Sequence, residues 1–222
     1  LAVGMVVGVL ALAPVVRLLL AHAAPLLWAF FFGLILASVG FIGRARSRAV
    51  LARYGTLGII LGAVFLALPT GQVQGSWLAL FIGSAIAVCA WILPAVSGSF
   101  VLLLLGLYDD VIVAIADFNF LKLSAVGLGC AIGLASFVRM LSWLMQRHED
   151  RLLSLLTGFM AVALAKLWPW QNADAGSLLE SLLWPAEYAS LTGQSAYLTG
   201  VLPAVAAGVV ALWLLQRVTR QP

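Results

Sequence analysis

The sequence predicts an all-α integral membrane protein built on inverted-topology repeats with a re-entrant helical hairpin. Apolar residues make up 64% of the 222 residues and charged residues 9%. Soluble domains run at roughly 45–50% and about 25%, so this chain cannot clothe itself in a polar surface and lipid must be its solvent. Apolar runs near the ~20 residues that cross a bilayer recur along its length. A segment early in the chain also reappears in its second half.

Seven or eight segments are long and apolar enough, or nearly so: 1–20, 25–43, 54–69, 77–93, 99–116, 123–145, 152–168 and 199–216. The net charge of +4 comes from arginines at span ends, an orientation signal rather than a nucleic-acid surface. "RARSRAVLAR" holds Arg44, Arg46, Arg48 and Arg53; "QRHEDR" holds Arg147 and Arg151; the tail holds Arg217 and Arg220. The loop 169–198 has Asp174, Glu180 and Glu187 but no Lys or Arg. The positive-inside rule puts the Arg-rich connections and the C-terminus in the cytoplasm and 169–198 outside. Trp168, Trp170 and Trp184 then read as anchors at the outer interface.

"VVRLLLAHAAPLLWAFFFGLILAS" (15–38) resembles "FVRMLSWLMQRHEDRLLSLLTGFMAVA" (137–163). Arg17 falls on Arg139 and, with three extra residues in the second turn, Gly33 falls on Gly158. The first copy's turn belongs outside and the second's inside, the relation found in inverted-repeat transporters. Residues 1–68 are then the remainder of the first repeat, and 69–198 are the second, with its hairpin 77–116 and the outer loop 169–198. Residues 199–222 are a terminal helix and cytoplasmic tail. The chain opens at Leu1 inside an apolar run, and 77–122 has no counterpart ahead of it. An N-terminal part of the first repeat is expected to be missing.

The hairpin is where polar chemistry concentrates. In "LPAVSGSFVLLLLGLYDD" (93–110), Pro94 removes a backbone donor and breaks the helix. Ser97 or Ser99 can cap the helix that resumes. Non-helical backbone is tolerated at membrane depth only when buried in protein or lining a watery cavity. There Ser97, Gly98 and Ser99 would offer an anion hydroxyls and free N–H groups. The bland alternative is a loop at the cytoplasmic surface. Asp109 and Asp110 follow about three turns later, as coupling carboxylates for a proton or cation or as solvated end-of-helix charges. Arg17 and Arg139 offer planar forks suited to phosphate, or snorkel to headgroups.

Cys89 and Cys130 read as small buried hydrophobes. No His/Glu cluster has metal-ligand spacing, and neither G-x-S-x-G nor a Walker motif occurs. No cofactor, metal or catalytic residue is expected, and the chain reads as a non-enzyme.

"AWILPAVSGSFVLLLLGLYDDVI", the "GLGCAIGLASFVRMLSWLMQRHEDRLLSLLTGFM" that follows and "LAKLWPWQ" together resemble the bacterial polyprenyl-phosphate transporter family. That family carries a Pro-Gly-x-Ser-Gly motif once in each half. Here its second residue is Ala95, and the first-half copy is absent from this sequence. The resemblance implies a multi-pass protein of the bacterial plasma membrane. It would move undecaprenyl phosphate from the outer to the inner leaflet, recycling the carrier for peptidoglycan and other surface polymers. A transporter or channel for a small soluble anion, and a non-transporting partner subunit, are the alternatives. Oligomeric state is not encoded in any motif.

Overall fold

The computed structural model describes residues 13–68, 71, 75–93, 97–171, 182–193 and 195–219. Among them every regular element is a helix, apart from one isolated bridge between Gln171 and Leu182. In chain order the helices are α1 (Ala13–His22), α2 (Ala24–Arg44), α3 (Arg48–Ala67), α4 (Trp77–Ile92), α5 (Gly98–Leu104), α6 (Tyr108–Ala116), α7 (Phe120–Lys166), α8 (Pro185–Thr192) and α9 (Leu198–Thr219). Among the described residues four helices are long and apolar enough to cross a membrane, or five if the bent pair α5–α6 counts as one span. α7 has 47 residues, about 70 Å of helix. That is too long for one crossing, and it is broken at His148 (φ −142°, ψ 41°).

The chain is packed inside-out relative to a soluble protein. On α3 the buried residues of the regular helix are Gly58 and Gly62, while Leu57, Ile59, Ile60, Leu61 and Val64 are exposed. Small residues let backbones approach where lipid supplies no hydrophobic drive between helices, and large side chains face the tails. Length, composition and this burial pattern together make it a multi-pass membrane protein.

Two sequence expectations change here. The single helix expected over 99–116 is two, α5 and α6, bent by 109°. Gly106 takes the turn at φ 71°, a left-handed conformation open to glycine. Leu107 then drops against Gly83 and joins Leu80 and Ala125 in a buried cluster. The turn expected over 146–151 shrinks to the single residue His148, so the helical segments on either side are longer than read.

The chain divides into two compact units. Unit one is Leu1–Ala45 with Ala161–Pro222, and unit two is Arg46–Met160. In unit one α2 packs on α9. A Cβ on Gly33 would strike Val205 (backbone C 2.8 Å, Cα 2.9 Å), and one on Gly208 would strike Phe30 O and Leu34 N, the latter at 2.8 Å. Beside this contact Ala29, Trp170, Tyr188 and Val201 form a buried cluster. In unit two the second half of α7 packs on α3. A Cβ on Gly158 would strike Gly55 (C 2.8 Å, Cα 3.0 Å), and one on Gly58 would strike Leu155 O and Phe159 N, the latter at 3.0 Å.

These packings correspond position by position. Gly33 and Gly158 are 125 residues apart, as are Leu27 and Leu152 and also Ala29 and Ser154, all six buried. The same interval separates His148 from Ala23, which has φ −146° and ψ 44° and ends α1 as His148 breaks α7. Counted at that interval, Gly33 falls on Gly158 with no extra residues in the second turn. Without them Arg17 stands opposite Ser142 and Arg139 opposite Pro14. The similar "VVR" and "FVR" runs that align Arg17 with Arg139 lie three residues out of step with this interval.

Candidate functional site

Unit two builds a helical hairpin from α4 and α5. Ser76 opens α4 by accepting the Ala79 N–H at 3.2 Å. α4 ends at Ile92 and α5 begins at Gly98; Pro94, Ala95 and Val96 lie outside the described residues. Gly98 closes the hairpin, because a Cβ there would meet Ala87 O at 2.7 Å and Trp91 Cβ at 3.5 Å. Ser97 holds the N-cap position (φ −92°, ψ 126°), yet its hydroxyl caps no N–H. Instead Ser97 Oγ and Ser99 Oγ share a hydrogen bond of 2.7 Å, with both side chains exposed. The expected capping role is not taken up. With seven residues, α5 also brings little macrodipole to the tip.

The depth of the tip follows from α7. Gly129 packs against Phe81 and Gly133 against Ala85, a constant interval that runs the two helices parallel. Six residues further along each, Arg139 is level with Trp91, the residue against Gly98. Extended at the same register, that slice of unit two holds Ser97, Gly98 and Ser99 at the height of Arg139. Along α7 that slice is about 12 Å from Arg147 and about 28 Å from Phe120. It lies nearer the Arg-rich end than the middle. Arg139 is exposed. Arg17 is exposed on α1 and belongs to unit one.

Asp109 and Asp110 sit at the far end of the hairpin, beyond the bend. They occupy the first turn of α6, where carboxylates complement the helix N-terminus. Asp109 is exposed. Asp110 accepts from Lys122 Nζ at 2.8 Å, and its carboxylate fills the space beside Gly75. Lys122 carried no signal in the sequence, since the turn at Phe118 (φ 51°) that returns it to Asp110 is not encoded in any local pattern.

The Arg-rich end was also under-read. Arg46 donates from Nη2 to Glu149 Oε1 at 3.3 Å and from Nη1 to Asp150 Oδ1. These bonds, that to Asp150 foremost and partly opposed by desolvation, push the Arg46 pKa up from its ordinary value. The pairing brings the connection before α3 and the break in α7 to one end of unit two. Arg53 and Arg151 both stand over the Tyr54 ring, at 5.9 and 5.7 Å from its centroid. In unit one the tryptophan reading is corrected. Trp170 is 8% exposed and donates from Nε1 to Ala196 O at 2.9 Å. Trp168 donates to Leu183 O at 2.9 Å. These two bonds tie the segment after α7 to the connections on either side of α8, and of the three Trp184, 73% exposed, suits an interface anchor.

Residues 1–181 match the family model described as undecaprenyl phosphate translocase-like. The chain belongs to that family. A polyprenyl-phosphate transporter of Vibrio cholerae serotype O1 is 39% identical over 211 residues, covering 89% of this chain and 68% of the relative. No solved structure matches. Among the described residues no group of three or more His, Cys, Asp or Glu is placed to hold a metal ion.

Proposed function

We propose that the chain translocates polyprenyl phosphate, carrying undecaprenyl phosphate from the outer to the inner leaflet of the bacterial plasma membrane so that the carrier lipid is reused in envelope synthesis. The 39% identity to the Vibrio transporter over most of the chain carries this reading. The chemistry agrees with it. A phosphate headgroup crossing a bilayer needs hydroxyl and guanidinium donors inside the protein, while the isoprenoid tail stays in lipid. Ser97, Gly98, Ser99 and Arg139 would supply those donors at the tip of a re-entrant hairpin. The seven-residue α5 and its 109° bend support such a hairpin. The matched glycine contacts support a repeat, and the neutral turn at Ala23 against the charged one at His148 supports its inversion. The C-terminus and the Arg-rich connections would then be cytoplasmic. If movement is coupled to a proton or cation, Asp110 is the better placed carboxylate, half-buried against Lys122.

The test is surface exposure of undecaprenyl phosphate in cells with and without the full-length protein. Outer-leaflet accumulation on depletion, reversed by the wild type and not by Arg139→Lys, is expected. Unchanged exposure would reject both direction and substrate.

A further inference from the structure

Unit two carries Arg46, Arg48, Arg53, Arg147 and Arg151 at its Arg-rich end, against Glu149 and Asp150. Both carboxylates are turned onto Arg46. Arg53 and Arg151, each exposed, converge instead on the half-buried Tyr54 ring, so two like charges gather where, among the described residues, no carboxylate pairs with them. Arg53 and Tyr54 lie in the π-helical turn Leu51–Gly55. Single π-helical turns are rare and recur at functional sites. From Arg53 an exposed apolar stripe runs along α3 at helical spacing, through Leu57, Ile60 and Val64. A paired guanidinium head above an apolar rail matches a phosphate headgroup with a long hydrocarbon tail.

We propose that Arg53, Tyr54 and Arg151 form a docking site for the phosphate of a polyprenyl lipid at the Arg-rich membrane face, apart from the Ser97–Arg139 slice. The identity of the lipid rests on the translocator reading above; the phosphate chemistry does not. Each guanidinium presents a planar fork to phosphate oxygens. Tyr54 holds both forks in place through its ring face.

The test is retention of lipid by the full-length protein in nanodiscs, read by native mass spectrometry. The probes are polyprenyl monophosphate, phosphatidylglycerol and inorganic phosphate. Arg53→Gln with Arg151→Gln should weaken polyprenyl phosphate retention tenfold or more. Arg48→Gln with Arg147→Gln, which removes the same charge, should change it less than threefold. Arg53→Lys with Arg151→Lys keeps the charge and loses the forks; it should also weaken retention, and it covers the case in which the Gln pair fails to fold. Equal losses in the two Gln pairs would reduce the effect to net charge and overturn the site. Phosphatidylglycerol retained as tightly as the monophosphate would overturn its specificity, and inorganic phosphate competing at equal concentration would overturn the role of the tail. Wild type that binds the lipid with all variants unaffected sinks this site alone. Wild type that neither binds nor transports it sinks the translocator reading.

Discussion

Gly158→Ala should separate two helices. The three atoms nearest an added Cβ here are all backbone of Gly55, with the carbonyl carbon at 2.8 Å and Cα at 3.0 Å. Backbone cannot rotate away, and the Gly55 carbonyl oxygen is nearer still, so α3 must recede by more than the ~0.6 Å that the carbonyl carbon alone needs to reach an ordinary 3.4 Å contact. A gap of 0.5–1 Å forfeits roughly a quarter to a half of each dispersion well along the contact. Overpacking of this kind costs about 1–3 kcal/mol. The comparison lies on the same helix: Gly127 has nothing within 4 Å of an added Cβ. Gly127→Ala should instead stabilise by about 0.5–1 kcal/mol, through the lower helix propensity of glycine. Thermal unfolding of the purified protein in one detergent would order the three proteins as Gly127→Ala, wild type, Gly158→Ala. Equal melting of the two variants would refute close glycine packing between α3 and α7.

Asp110→Asn and Lys122→Gln should couple weakly in a double-mutant cycle, by about 0–1 kcal/mol, because both side chains are about a third exposed. A coupling well above that range would mean lipid or protein excludes water from the pair. Trp170→Phe should cost about 1–3 kcal/mol by leaving Ala196 O without its donor, whereas Trp184→Phe should stay within about 0.5 kcal/mol. Equal effects in thermal melts would return Trp170 to the status of a surface anchor.

The spans were legible because a bilayer imposes a length of apolar chain that no other solvent demands. Gly33 and Gly158 stood out in the sequence, and at each an added Cβ would strike the backbone of a neighbouring helix. The bend after Leu104 was not, since "VLLLLGLYDDVIVAIA" is apolar on both sides of Gly106 and only the left-handed turn at that glycine divides it. The single-residue break at His148 was hidden for the opposite reason: charged residues on both sides read as a longer turn. Ion pairs such as Arg46 with Glu149 and Asp150 join positions over a hundred residues apart and leave no local pattern. The cap expected from Ser97 or Ser99 was not legible, since their hydroxyls hydrogen-bond each other rather than the helix they begin.

The most direct measurement is the rate at which the full-length protein, reconstituted into liposomes, moves a labelled polyprenyl phosphate between leaflets. Wild type should equilibrate the lipid far faster than protein-free vesicles. Ser97→Ala with Ser99→Ala, and separately Arg139→Lys, should slow it tenfold or more while melting within a few degrees of wild type. Wild-type rates in both variants, or no acceleration by the wild type itself, would contradict the account.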